Sequence, residues 1–252
     1  MSEKIIGIVA GVGPFAGLDL LRKILDQTVA SKDQEHLTVA SLSQPNEIAD
    51  RTEYLLGEVA ENPAQAFVRQ LLKLEQMGAQ VGGIPCNTAH APAIFGEIVA
   101  GLKKGGSGLH LLHMIEETAV HLHHAHPQLQ NIGILSTTGT YLTQIYPEAL
   151  ARFGLTAVVP TRQMQEEIVH TAVYAPDYGL KACGVATKEA REGLTTAVRS
   201  LQTQGAEAII LGCTEMPLAI TEPTLYGLPI IDPTLILARA LIREANPAKL
   251  KP

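Results

Sequence analysis

Short apolar runs alternate along the chain with longer stretches in which apolar residues recur at helical spacing. Two of these stretches, Pro63–Met77 and Thr187–Gln204, are each followed by a glycine that favours a helix end, Gly78 and Gly205. Strands that alternate with helices are typical of parallel α/β sheets. The predicted strands are Lys4–Ala10, His36–Leu42, Gln80–Cys86, Leu109–Met114, Asn131–Ser136, Leu155–Pro160, Ala206–Cys213 and Leu228–Asp232.

The chain also repeats itself. The run Ile6–Ala10 matches Ile132–Ser136, and each is followed by a glycine-containing turn. Later in each half, Val81–Thr88 matches Ala208–Glu215, and the distance between the two matched segments differs by one position between the halves. The sequence therefore predicts two similar three-layer α/β/α Rossmann-like domains, each with a four-stranded parallel sheet, related by a pseudo-twofold axis.

Two cysteines, Cys86 and Cys213, end matching strands of this repeat. Ligands of parallel α/β sheets bind at the carboxyl ends of strands, where a helix N-terminus lowers the pKa of a thiol. One such cysteine is usually a small core residue, but two at equivalent positions indicate function. In a cleft between the domains they would approach one ligand from opposite sides, as inversion at carbon requires. Cys183 lies outside the repeat and is predicted to be structural.

Composition narrows the classes of function. Hydrophobic residues make up 46% and charged residues 17% of the 252 positions, which is typical of a globular protein. The net charge of -6, the 4% aromatic content and the absence of Trp argue against nucleic acid as a partner. No apolar run is long enough to span a membrane. Three cysteines make no disulfide framework, so a reducing cytoplasm is expected.

Three further features bear on cofactor, metal or thiol chemistry. Gly11, Gly13 and Gly17 approach a dinucleotide fingerprint, but the second predicted strand does not end on an acidic residue. The tract His121–His126 more simply favours a helix C-terminus than a metal site. His90, one turn beyond the first cysteine, either tunes that thiol or has a structural role. We therefore expect neither a cofactor nor a metal.

Motifs around both cysteines resemble a known family. Pro85–His90 and Leu211–Pro217 are similar to the two cysteine signatures of the aspartate/glutamate racemases, in particular their aspartate racemase branch. Ala10–Pro14 resembles the family's Gly-Gly-x-Gly-Pro loop, with Ala10 in place of the first glycine and Gly13 as a substrate-binding residue. The resemblance covers nearly the whole chain and implies a cofactor-independent amino acid racemase that forms a homodimer.

Two further segments concern the substrate. Asn46–Thr52 resembles a family stretch whose arginine, here Arg51, binds a substrate carboxylate. Tyr178–Ala182 resembles another, whose lysine, here Lys181, does the same for a dicarboxylic substrate. Arginine offers a planar fork and lysine a compact charge for this purpose. The choice of aspartate as substrate rests on this resemblance, because one methylene group gives weak discrimination.

The resemblance also implies that the two halves exchange their ends. Leu109–Met114 would then join the second sheet and Leu228–Asp232 the first. The expected domains are residues 1–108 with 228–252, carrying the first cysteine, and residues 109–227, carrying the second.

The predicted reaction is a 1,1-proton transfer at the α-carbon of aspartate, in which the two thiols alternate as base and acid. Charge that develops on the substrate carboxylate needs prearranged hydrogen-bond donors. Candidates are Asn87, Thr88, Thr138 and Thr214. Glutamate or hydantoin racemisation, isomerisation of a dicarboxylic acid, and a two-lobed binding protein without catalysis remain as alternatives.

Overall fold

The computed structural model describes residues 3–252. It divides into two compact units: the first unit is Met1–Glu117 with Thr234–Pro252, and the second unit is Thr118–Pro233. Along the described part of the chain, no helix has the length and apolar character needed to cross a bilayer.

The first unit is built around a parallel sheet. Its elements are β1 (Ile5–Val9), α1 (Pro14–Gln27), β2 (Val39–Leu42), α2 (Arg51–Leu56), α3 (Ala64–Gln76), β3 (Ala79–Gly83), α4 (Pro92–Lys104), β4 (His110–Leu111) and the start of α5 (Met114–Ala125). Within residues 3–252 these strands form a four-stranded sheet in the order β2-β1-β3-β4, and every pair is parallel.

The second unit repeats that plan. Its elements after α5 are β5 (Asn131–Ser136), α6 (Thr138–Leu142), α7 (Ile145–Ala151), β6 (Thr156–Val158), α8 (Arg162–Met164), α9 (His170–Tyr174), α10 (Leu180–Cys183), α11 (Lys188–Thr203), β7 (Ala208–Gly212), β8 (Thr224–Leu225) and β9 (Leu228–Ile231). Its sheet, as described, has the order β6-β5-β7-β9-β8. Its first four strands, β6-β5-β7-β9, are parallel and correspond in order to β2-β1-β3-β4 of the first unit. The repeat in the sequence therefore corresponds to a repeated sheet.

The second sheet has one more strand than predicted. The two-residue β8 pairs antiparallel with β9, and the turn between them contains Tyr226 and Gly227, both at positive φ. Positive φ at both central residues is the geometry of a tight hairpin turn. This hairpin is too short to show a strand pattern in the sequence, and it adds β8 beside β9 at the edge of the second sheet.

The predicted exchange of strands between the halves is wrong. β4 pairs with β3 through Val81 and His110, and β9 pairs with β7 through Ile209 and Ile230, so each strand stays in the sheet of its own half. Helices are exchanged instead. The boundary falls inside α5, after Glu117, and α12 (Pro233–Ala245) belongs to the first unit from Thr234 onward. The link between α4 and β4 is short, so β4 stays beside β3. The chain from β7 passes through the hairpin strand β8 into β9, which stays beside β7.

Alternate residues of the first sheet pack on opposite faces, as the period of a strand requires. Ile6 and Ile8 contribute to a core with α1 and α12, whereas Val9 contributes to a second core with α3 and α4. Gly7 lies between them, where an added Cβ would stand 2.8 Å from the Cβ of Ala79. Two layers of helices therefore enclose this sheet. In the second unit, the helices α9 and α11 pack on strands β5 and β7.

Candidate active site

Cys86 lies in a buried loop shortly beyond the end of β3. Its backbone N–H donates to the carbonyl of Ile84 (2.8 Å), and its own carbonyl accepts from Nδ1 of His90 (2.8 Å). Because a carbonyl can only accept, Nδ1 carries the proton in this bond. Asn87 and Thr88, two predicted donors, follow the cysteine and are also buried. This loop places a thiol and polar side chains at the carboxyl end of the first sheet.

His90 is neutral in this loop. Burial lowers its pKa to about 3, and the neighbouring His113 adds to the effect. Its ring stacks on Phe95 at a centroid distance of 5.1 Å and meets the edge of His113 at 4.7 Å. His90 thus holds the loop through a hydrogen bond to the backbone carbonyl of Cys86.

Acid should therefore weaken folding through His90. A folded-state pKa below the unfolded value of 6.5 gives stability that is present above that value and lost as the pH falls toward about 3. From about pH 7 to about pH 5, we expect the free energy of unfolding to fall by about 2 kcal/mol more in the parent protein than in His90→Leu, measured by urea denaturation. Equal losses in the two proteins would contradict a buried neutral His90.

Arg51, the predicted carboxylate binder, begins α2, and Asp50 caps that helix by accepting from two backbone N–H groups. The Arg51 side chain is nearly buried, and its guanidinium donates to the carbonyls of Val12 (3.0 Å) and Ala49 (3.3 Å). It therefore holds the loop that contains Gly13, while α2 lies against the turn that follows the first cysteine. The first unit thus gathers its predicted site residues around two adjoining loops.

Cys213 directly follows β7 and is buried in a polar network. Its thiol donates to Oε2 of Glu215 (Sγ–O 3.1 Å), and the hydroxyl of Thr214 donates to the same oxygen (3.2 Å). Nζ of Lys181 donates to the other carboxylate oxygen at 3.0 Å. Glu215, which sequence reasoning did not assign to the site, therefore links the thiol to the lysine.

The charges of this network oppose each other. Burial would raise the pKa of Glu215, but the charge of Lys181 and hydrogen bonds from Cys213, Lys181 and Thr214 hold it below the ordinary value. Burial, and then the carboxylate of Glu215, raise the pKa of the Cys213 thiol well above the usual range. The prediction that a helix N-terminus lowers this pKa is wrong, because a short 3₁₀ turn, Met216–Leu218, follows the cysteine. The raised pKa keeps Cys213 in its protonated, thiol form.

Further polar and aromatic side chains lie beside Lys181. Its Nζ stands 5.8 Å from the ring centre of Tyr174, which stacks on His170 at 4.8 Å. Nδ1 of His170 lies 2.9 Å from the hydroxyl of Thr138, another predicted donor. Sequence reasoning missed His170, and its spacing of one helical turn from Tyr174 was the available signal. The second unit thus connects Thr138 to the cysteine network through aromatic rings.

Two features that were not predicted to belong to the site remain, Cys183 and the tract His121–His126. Sγ of Cys183 contacts the carbonyl of Asp177 at 3.6 Å, at the end of α10. The tract His121–His126 contains the end of α5. Among residues 3–252, no three His, Cys, Asp or Glu side chains are grouped as a metal site would require.

The chain is similar in sequence and structure to known proteins of one family. A sequence model of the family described as Asp/Glu/Hydantoin racemase matches residues 9–241. The solved aspartate racemase of Picrophilus torridus is 32% identical, with a TM-score of 0.80 over 98% of this chain and 96% of that one. The broad specificity amino-acid racemase RacX of Bacillus subtilis is 26% identical over 245 residues, which cover 94% of this chain and 96% of RacX.

A more distant likeness concerns the fold alone. The glutamate racemase of Francisella tularensis, solved in complex with D-glutamate, is 14% identical, with a TM-score of 0.65 over 97% of this chain and 82% of that one. Because the family match spans most of the sequence and both cysteine loops, the chain belongs to the Asp/Glu/hydantoin racemase family.

Proposed function

We propose that this protein interconverts L- and D-aspartate by a cofactor-independent 1,1-proton transfer between two thiols. The observation that carries the proposal is the equivalence of Cys86 and Cys213. Each follows the strand that stands third in the shared strand order of its sheet, β3 in the first unit and β7 in the second. Two proton-transfer groups on opposite faces of one α-carbon are what racemisation needs.

In the proposed step, one thiolate removes the α-proton while the other thiol delivers a proton to the opposite face. Because its raised pKa keeps Cys213 protonated, we assign Cys213 as the donor and Cys86 as the base in the first direction. In the reverse direction the two exchange roles. Both thiols are buried, and burial strengthens the attraction between developing charge and nearby donors.

The α-proton of an amino acid is only weakly acidic, so the charge of the intermediate must be stabilised. Asn87 and Thr88 in the first unit, and Thr214 in the second, are buried polar groups next to the thiols. We propose these, with Thr138, as donors to the substrate carboxylate. Arg51, with the Gly13 loop that it holds, and Lys181 would recognise the carboxylates of the substrate.

Isotope exchange tests this proposal. L-aspartate and, separately, D-aspartate are incubated with the protein in deuterated water, and α-deuteration is followed by NMR. We expect both enantiomers to exchange and to converge on a racemic mixture. A protein that exchanges neither enantiomer, while other amino acids also remain unlabelled, would be a binding protein on a racemase fold.

Two observations favour a wider substrate range as the second candidate. RacX is described as a broad specificity amino-acid racemase. In addition, Lys181 is engaged by Glu215 through an ion pair, which competes with a second substrate carboxylate for its charge. Running the exchange assay with glutamate, alanine and a hydantoin beside aspartate separates the two candidates. Homodimerisation is part of the proposal and is tested by light scattering.

A further inference from the structure

The network at Cys213 contains a buried carboxylate that the two-thiol scheme does not use. The Glu215 side chain is 4% exposed and that of Lys181 is 26% exposed. One carboxylate oxygen faces the thiol, and the other faces the ammonium group. A buried anion is costly unless it is paired and hydrogen-bonded. The ion pair and hydrogen bonds of Glu215 therefore stabilise its charge in this buried position. Its position within hydrogen-bond reach of a proposed proton-transfer group gives it a chemical consequence.

We propose that Glu215 is a positioning residue that sets the proton affinity of Cys213, and that Lys181 limits this effect through its ion pair with Glu215. The inference rests on the proposed function, since it assigns a purpose to the proton affinity of a catalytic thiol. Nothing in the two-cysteine scheme requires a carboxylate at this place.

The proton-transfer step shows what the carboxylate does. When Cys213 protonates the carbanion, its S–H bond breaks, a C–H bond forms, and the electron pair stays on sulfur. The resulting thiolate stands beside the Glu215 carboxylate, and like charges at this distance repel each other. In the reverse direction that repulsion makes the thiolate a stronger base toward a weakly acidic α-proton: the C–H bond breaks and the S–H bond forms.

Lys181 acts with the opposite sign. Its positive charge favours both the carboxylate and the thiolate, and so lowers the pKa of both groups. Without it, two negative charges would meet in a buried site. In this arrangement the lysine lowers the pKa of Cys213 enough for the thiolate to form during catalysis, whereas the carboxylate makes that thiolate a stronger base. Removal of either residue should therefore move the titration of Cys213, and in opposite directions.

A titration of Cys213 tests the inference without substrate. In a Cys86→Ser, Cys183→Ser background, Cys213 is the one cysteine left in the sequence, and its thiolate is followed by ultraviolet absorbance. We expect Glu215→Gln to lower the midpoint by about one to two pH units, and Lys181→Met to raise it. The matched control is Glu192→Gln, which removes an exposed carboxylate of the second unit and should leave the midpoint unchanged.

In the otherwise unaltered protein, Glu215→Gln should also shift the limb of the pH–rate profile that Cys213 governs to lower pH, with kcat about tenfold lower and KM less affected. An unchanged midpoint in a folded Glu215→Gln protein, or midpoints of Glu215→Gln and Lys181→Met that move together, would overturn the inference while leaving racemisation untouched. Failure of the parent protein to exchange the α-proton would instead remove the proposed function, whatever the titration shows.

Discussion

Replacement of Cys213 by serine is expected to lower the rate of aspartate racemisation by about 10³-fold, and Cys86→Ser should have an effect of the same order. Serine keeps the size of the side chain, so the buried loops should retain their packing. Its hydroxyl, however, is far less acidic than a thiol, and neither removes nor supplies the α-proton at a useful rate. The rate is measured by the change in optical rotation from each enantiomer, with unfolding curves to confirm that both variants are folded.

The matched control is Cys183→Ser. This cysteine is partly exposed, contacts a backbone carbonyl at the end of α10, and lies outside the repeat. Its replacement should leave the rate within about twofold of the parent, since the serine hydroxyl can donate to the same backbone carbonyl and the residue has no part in the proposed proton transfer. If Cys86→Ser or Cys213→Ser also racemised aspartate at the parent rate, the two-thiol mechanism would have to be abandoned.

Gly17→Ala is expected to destabilise the first unit by about 3 kcal/mol. Gly17 lies in α1 where that helix crosses the end of β1, and an added Cβ would stand 2.6 Å from the Cβ of Ala10 and 2.7 Å from its Cα, with the Ala10 carbonyl oxygen closer still. These atoms are the backbone and Cβ of Ala10, the buried residue that follows β1, and they cannot rotate away. Helix and strand must therefore separate, which also disturbs the adjoining glycine-rich loop. Thermal and urea unfolding measure the loss.

Gly96→Ala is the control for this prediction. Gly96 is an exposed glycine inside α4, and no heavy atom lies within 4 Å of an added Cβ. Because alanine restricts the unfolded chain and favours the helix, this variant should be more stable by about 0.5 to 1 kcal/mol. The same chemical change should thus have opposite signs at the two positions. A Gly17→Ala protein as stable as the parent would show that α1 can shift away from β1 without cost.

The sequence predicted most of the fold because its signals are local. The apolar runs predicted the strands. Gly78 and Gly205 follow the ends of α3 and α11 at positive φ, as expected. The repeat of Val81–Thr88 in Ala208–Glu215 corresponds to β3 and β7 in sheets of matching order. The exchange of strands was wrong, because pairing partners depend on the whole chain path rather than on any strand's own residues.

Less of the candidate site than of the fold could be predicted from local sequence patterns. The cysteines could be singled out by their places in the repeat, but the partner of Glu215 is Lys181, thirty-four positions away in the sequence. A local pattern does not report burial at the end of a strand, and burial decides the pKa of Cys213 together with that carboxylate. For the same reason the backbone contacts of Arg51 could not be foreseen. Long-range packing, not residue type, sets the electrostatics here.

The return of α12 to the first sheet has a consequence for how the protein is made. Leu237 and Leu241 of this helix pack in the same core as Ile6 and Ile8 of β1. During synthesis, the ribosome delivers α12 only after the whole second unit has emerged. The second unit is continuous and can complete its core as it appears, but the first must wait with one face of its sheet covered by α1 and not yet by α12. Until then, that face is a site for chaperones or for aggregation.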